Sequence, residues 1–197
     1  MFAGTGSVGK IFGGEKGHEV ISLDMDAKAG ATITANIMEW DYTVFPPGHF
    51  DFIWASPPCC TFSTLRRCNI GRACCKITRE DIERDIAQIG VPILRRTQAI
   101  IAYFAPPKGW IIENPWTGKM KEYISDPMKR VAYCRYGFPY RKWTALWSNR
   151  DLSTLLDCDH GRARHEVALG VRHRVSRSEM YRIPPDLVRA VHDIVSA

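Results

Sequence analysis

No run of about 18 uninterrupted apolar residues, the length a membrane-spanning helix needs, occurs in this 197-residue chain. A transmembrane helix is therefore not expected. The start, Met1-Phe2-Ala3-Gly4, has neither the basic and apolar order of a secretory signal nor the arginine-rich amphipathic pattern of a transit peptide. Internal repeats and low-complexity tracts are lacking, which argues against solenoids and disordered arrays. The cysteines themselves argue against a secreted disulfide framework. They number seven and stand as Cys59-Cys60, Cys68, Cys74-Cys75, Cys134 and Cys158. An odd total with adjacent pairs suits a reducing compartment, so the chain is expected to be intracellular, in a prokaryotic or virus-infected cytoplasm or a nucleus.

What is present suits one core. The chain is 45% hydrophobic and 24% charged, so residues 1–197 are expected to form a single domain. The net charge of +6 is uneven. One basic cluster, Arg66, Arg67, Arg72, Lys76 and Arg79, follows Cys59-Cys60. A second runs from Lys129 to Arg182 and includes Arg135, Arg141, Lys142, Arg150, Arg162, Arg164, Arg172, Arg174 and Arg177. Such faces are either solvated surface or a phosphate-binding surface.

Strand-like runs cover 19–23, 50–55 and 109–112, and two later ones cover 131–134 and 144–147 around Gly137-Phe138-Pro139. Helical spacing covers 81–104, with an interruption at Pro92, and a terminal helix begins at Pro185. Alternating strands and helices predict an α/β domain of three layers on a mostly parallel sheet. Residues 150–180 are polar, irregular and rich in His and Arg, and read as a small basic insert.

Three local patterns carry chemistry. Gly4-Thr5-Gly6-Ser7-Val8-Gly9 is a glycine loop opening a helix, followed at Asp24 by an acid at the offset expected to hold a ribose. NAD, FAD and S-adenosylmethionine sites all use this loop. Met25 beside it could lie against an adenine or simply sit in the core. The second pattern is Ser56-Pro57-Pro58-Cys59-Cys60-Thr61-Phe62-Ser63, a thiol on a stiff turn just past a strand, where open α/β sheets bind ligands. The third is Trp110-Ile111-Ile112-Glu113-Asn114-Pro115, a carboxyl at the end of an apolar strand. A thiol that adds to a ring carbon and an acid that holds the ring nitrogen together make carbon 5 of cytosine nucleophilic. The cluster Cys158, His160, His165 and His173 does not match zinc-ligand spacing, so no metal site is assigned.

Taken together, these motifs resemble the DNA cytosine-5 methyltransferase family, above all its compact phage- and virus-type members. Phe2-Ala3-Gly4-Thr5-Gly6 matches the cofactor loop and Ser22-Leu23-Asp24-Met25-Asp26 the ribose and adenine segment. Pro58-Cys59-Cys60-Thr61-Phe62-Ser63 matches the nucleophile loop, with Cys60 in place of a glutamine. Glu113-Asn114-Pro115, Tyr136-Gly137-Phe138-Pro139 and Arg182-Ile183-Pro184-Pro185 match later motifs in order.

The resemblance implies a Rossmann-like methyltransferase fold and S-adenosyl-L-methionine as cofactor. Cofactor contacts would come from Phe2, Gly4, Thr5, Gly6, Asp24, Met25, Asn36 and Pro57. Cys59 would be the nucleophile and Glu113 would hold cytosine N3, with base flipping to bring the target in. Arg141 and Lys142 would stand in for the arginine that holds the cytosine O2, because that arginine's position is Thr144. DNA contacts would come from Ser63, Arg66, Arg67, Arg141, Arg162 and Arg164.

Two further departures stand out. The first strand of the family is absent or cut to a stub ahead of Phe2, and residues 150–180 replace a full target-recognition domain, so a specificity partner is conceivable. A monomer is expected. Methylation of a tRNA cytosine, amino-group methylation of DNA, and a non-catalytic nucleic-acid-binding module remain open as alternatives.

Overall fold

The computed structural model describes all residues except 73–76, 160–164, 166 and 168–174, and omits the side chains of Leu65 and Arg177. Among the described residues the strands form two sheets. β1 (Leu23–Asp24) and β2 (Ile33–Thr34) pair in parallel. β3 (Ile53–Ala55), β4 (Trp110–Pro115), β5 (Met128–Ala132) and β6 (Trp143–Ser148) form the second sheet in the order β3-β4-β6-β5. β3 runs parallel to β4, whereas β6 is antiparallel to both β4 and β5. The fold is thus mixed α/β, and the expectation of a mostly parallel sheet is corrected. The short connection 133–142 between β5 and β6 lets the chain turn back, but it leaves no room for the crossover of a dozen or more residues that a parallel pair requires.

Residues 1–3 fill the seam between the two sheets. Ala3 N–H donates to Leu23 O at 3.0 Å, the Met1 ammonium donates to Trp54 O at 2.7 Å, and Ser56 N–H donates to Met1 O at 3.3 Å. Residues 1–3 thus bridge β1 and the β3 region through backbone hydrogen bonds.

Strand alternation feeds two apolar cores. Trp54, Ile111, Val131 and Leu146 join one; Ile53, Ala55, Ile112, Ala145 and Trp147 join the other. α1 (Ser7–Gly9) runs on into a wide-turned π-helix (Lys10–Glu15), whose Ile11 and Phe12 pack in the first core. α2 (Arg79–Asp85) begins on a capping box between Thr78 and Asp81 and continues through a π-helix (Ile86–Gly90) into α3 (Val91–Phe104). This helical run buries Ile82, Ile86, Leu94, Ile100 and Phe104 in the second core.

The interruption expected at Pro92 is a widened turn rather than a break. A proline ring collides with the carbonyl four residues back and supplies no N–H; just ahead of it the bonding runs five residues back, as from Val91 N–H to Ile86 O, so Pro92 falls where the register changes. After the short α4 (Arg177–Met180), the amphipathic α5 (Pro185–Ser196) buries Leu187, Val188, Val191 and Val195 in the first core. Arg189 of α5 holds Glu15 through two hydrogen bonds of 2.8 Å, which clamps the chain's end onto its beginning. Among the described residues, no helix is long and apolar enough to cross a membrane.

Gly90 is where this helical run meets the loop that carries Cys59. A methyl group built there would lie 2.6 Å from Thr61 Oγ1 and 2.9 Å from the Phe62 ring. Glycine to alanine in a helix ordinarily stabilises by about 1 kcal/mol, and overpacking costs about 1–3 kcal/mol. The second effect wins because both neighbours are buried. Gly90→Ala should lower the urea midpoint; a raised midpoint would contradict this packing.

Candidate active site

Strand direction decides which residues meet. Because β3 and β4 are parallel, the loop after Ala55 and the end of β4 lie at the same edge of the sheet. Because β6 is antiparallel to β4, with Pro115 opposite Thr144, the start of β6 lies there too. The Cys59 loop, Glu113 and Lys142 therefore converge although the sequence separates them widely.

Two hydrogen bonds pin the Cys59 loop to the chain around the end of β4. The Asn114 side-chain amide donates to Pro57 O at 2.8 Å, and Lys119 N–H donates to Phe62 O at 2.9 Å. One anchor precedes Cys59 and the other follows it. Within the loop, Phe62 N–H closes a turn on Cys59 O at 3.1 Å. The first bond is buried, and the Asn114 carbonyl oxygen is buried without a hydrogen-bond partner. Pro57 is buried, Cys59 half-buried and Cys60 exposed. Partial exposure at a cleft separates Cys59 from the fully buried, inert cysteine that a core would hold.

Glu113 is 7% exposed, and its Oε1 accepts a hydrogen bond from the Tyr133 hydroxyl at 3.3 Å. Burial and the Glu113 carboxylate push the Tyr133 hydroxyl well above its ordinary pKa, so it remains a donor. The buried Thr144 hydroxyl lies beside it, outside hydrogen-bond geometry. The Lys142 ammonium sits 4.7 Å from the centre of the Tyr133 ring and donates to Met180 O at 2.7 Å.

These groups set the state of the thiol. Burial and the Glu113 carboxylate raise the Cys59 pKa, Lys142 lowers it, and Cys60 adds a small increase. Burial and the acid outweigh the lysine, so the thiol is protonated at neutral pH in the free protein.

Cys59, Glu113 and Lys142 line one cleft of about 1030 Å³ together with the glycine loop. Phe2, Gly4, Thr5, Gly6, Asp24, Met25, Asn36 and Pro57 all face the same space. Gly4 and Gly6 have φ of +50° and +69°, in the left-handed region where a side chain is costly. Phe2 adopts φ 61° as well, a strained conformation for a bulky residue at the cleft wall. Asp24 braces the loop: its two oxygens accept from Gly4 N–H at 2.8 Å and Asp26 N–H at 2.9 Å. Met25 is 72% exposed, which rules out the core role. Asn36 uses its side chain in a local turn, accepting from Met38 N–H and donating to Glu39.

The other assigned residues lie apart from the cleft. Arg141 stacks its guanidinium 4.1 Å from the centre of the Trp143 ring. Arg66 is ion-paired with Asp85, Arg67 is exposed and Ser63 is half-buried. Arg162 and Arg164 are outside the described residues.

Two residues that hold the site were not singled out by sequence. Tyr133 follows β5 in a short 3-10 turn (Tyr133–Tyr136), and only the fold brings it to Glu113. Asn114 read as part of a motif, while its bond to a backbone carbonyl 57 residues away left no local signal.

The charge balance gives a direct test. Cys59 alkylation by iodoacetamide, followed by peptide mass spectrometry, should still accelerate above pH 9, beyond an ordinary thiol. Glu113→Gln should shift the profile to lower pH and Lys142→Met to higher pH. A profile that neither substitution moves would show that the three groups do not share a site.

No family model matches the chain. A curated protein of Frog virus 3 (isolate Goorha), named "Probable DNA (cytosine-5)-methyltransferase", is 37% identical over 214 residues. The match covers 98% of this chain and 97% of that protein. With a thiol and a carboxyl in one cleft beside a glycine loop, and similarity at this level along almost its whole length, the chain belongs to the DNA cytosine-5 methyltransferase family.

Proposed function

We propose that the protein transfers a methyl group from S-adenosyl-L-methionine to carbon 5 of cytosine in DNA. One observation carries the reading: Cys59, Glu113 and the glycine loop line a single cleft. The cleft suits that cofactor by its volume, its left-handed glycines and the exposed Met25 at its wall. Phe2, Gly4, Thr5, Gly6, Asp24, Met25, Asn36 and Pro57 would hold it. When bound there, S-adenosyl-L-methionine supplies an electrophilic methyl group.

The protein's own residues do the rest. As the target enters, the Cys59 thiol proton passes by way of the Glu113 carboxylate to cytosine N3, and the sulfur adds to carbon 6, forming a C–S bond as the C5–C6 double bond opens. Electron density moves toward N3, where Glu113 holds the ring, and carbon 5 becomes nucleophilic. Tyr133 fixes the carboxyl through its hydrogen bond and thereby acts as a positioning residue. After methylation, carbon 5 gives its proton to a water molecule, the C–S bond breaks with its electron pair going to sulfur, and the N3 proton returns by way of Glu113 to the Cys59 thiolate.

A cytosine in a duplex cannot reach a half-buried sulfur inside a cleft, so the base leaves its stack. Lys142 stands at the cleft with the positive charge that the cytosine O2 calls for. Arg141, half-buried against Trp143, and the exposed Arg67 lie outside the cleft and suit phosphate contacts; Arg66, tied to Asp85, contributes less. Helical packing on both faces of the strands fits a three-layer, Rossmann-like methyltransferase domain acting inside a cell.

The test is a trapped intermediate. The full chain is incubated with S-adenosyl-L-methionine and a random-sequence duplex substituted with 5-fluorocytosine, whose fluorine cannot leave as a proton does. A covalent adduct resistant to denaturation, mapped to Cys59 and lost in Cys59→Ala, is the expected outcome. Methylated amino groups without an adduct, or an adduct formed only with tRNA, would overturn the assignment.

A further inference from the structure

The fold brings together side chains that linear spacing kept apart. Cys134 lies in the turn that follows β5, whereas Cys158 and His165 belong to the segment after β6. One ligand atom from each lies within 4.8 Å of the other two. The Cys158 sulfur is 3.4 Å from His165 Nε2. All three residues are partly buried. The candidate ligands counted from sequence, Cys158, His160, His165 and His173, lay in one stretch. Cys134 adds a donor from outside it, and His160 and His173 lie outside the described residues.

We propose that Cys134, Cys158 and His165 hold a structural zinc ion that fastens the segment after β6 to the turn between β5 and β6. Zinc–sulfur and zinc–imidazole bonds of about 2.3 Å and 2.0–2.1 Å place tetrahedral ligand atoms roughly 3.5–3.8 Å apart. The three donors are therefore already near the required spacing and need only a small contraction. Two sulfurs and one imidazole are a soft donor set that selects zinc over the hard cations. On binding, each thiol gives up its proton to solvent and donates a sulfur lone pair to the metal. The fourth position of the tetrahedron takes a water or another side chain.

The packing shows why a metal is useful there. Among the described residues of 150–180, Leu152 and Leu155 are the fully buried apolar residues. Past Leu155 the segment's described residues add only the partly buried Val167 and Val175 to the first core, and polar links hold the rest. Leu156 N–H donates to the Tyr136 hydroxyl at 2.7 Å, Arg130 pairs with Asp157 and Arg135 with Asp159, both at 2.6 Å, and Val167 N–H donates to Pro139 O at 3.1 Å. Paired charges at a surface contribute little each. A structural metal supplies the ordering free energy that so small a core does not. Its position matters for the reaction, because the connection carrying Cys134 also carries Arg141 and Lys142. The ion would join the basic insert to the connection that presents the cleft's cation.

The full chain, produced in zinc-supplemented medium and passed through gel filtration without chelator, is the material to measure. Elemental analysis should find about one equivalent of zinc per chain. After exchange for cobalt, thiolate-to-metal charge transfer and strong visible bands of a tetrahedral site should appear. The charge-transfer intensity should fall to about half in Cys134→Ser and in Cys158→Ser, and the visible bands should shift in His165→Ala. Cys68→Ser should change neither. Where a variant does not fold, X-ray absorption on the zinc-loaded wild type decides by itself, with two sulfurs and at least one nitrogen in the first shell expected. A folded protein without metal, a Cys134–Cys158 disulfide in peptides mapped without reductant, or a cobalt spectrum unaffected by the substitutions would overturn the proposal.

Discussion

The hydrogen bond from the Asn114 amide to Pro57 O holds the site together. It is buried and ties the residue beside Glu113 to the stiff turn that delivers Cys59. A buried amide bond of this kind is modest in net stability, about 0.5–1.5 kcal/mol, but leaving its acceptor without a partner costs about 1–3 kcal/mol. Geometry counts for more than either figure. Residues 56–63 lie outside helix and strand, so anchors such as this one limit how far the thiol can move from the acid. The Lys119 bond to Phe62 O completes the clamp on the far side.

Around that clamp the fold solves an electrostatic conflict. A carboxylate and a thiol in one half-buried space oppose each other, and burial first and the acid second raise the pKa of the sulfur. Lys142 pulls the other way from the start of β6, steadied by Met180 O and the Tyr133 ring. Tyr133 also donates to Glu113. One aromatic side chain therefore touches both the acid and the cation. A resting thiol is less exposed to oxidation than a standing thiolate, which suits a chain with Cys60 exposed next to Cys59.

The sequence was most legible where chemistry and local backbone coincide. Gly4 and Gly6 need left-handed φ, Cys59 sits on a proline turn, and Glu113 ends an apolar strand; each leaves a short-range mark. The strand near 109–112 and the terminal helix from Pro185 followed from periodicity and capping. What stayed hidden depends on tertiary arrangement. The antiparallel placement of β6 follows from the short connection after β5, which a reading of alternating elements does not weigh. Pro92 marked a disturbance, yet whether it breaks or widens a helix depends on how the turns before it adapt. Tyr133 and Cys134 are adjacent, yet the fold gives Tyr133 its partner from the earlier β4 and Cys134 its neighbours from the segment after β6. Arg66 looked free for phosphate until the fold gave it Asp85.

The central claim is that Cys59 and Glu113 act on one ring because Asn114 fixes the loop between them. The single-turnover rate of covalent adduct formation by Asn114→Ala, compared with the wild type at equal folded fraction, tests it most directly. The account predicts a fall of at least about tenfold, equivalent to about 1.4 kcal/mol in the barrier, with cofactor affinity little changed. A wild-type rate in that variant would contradict it.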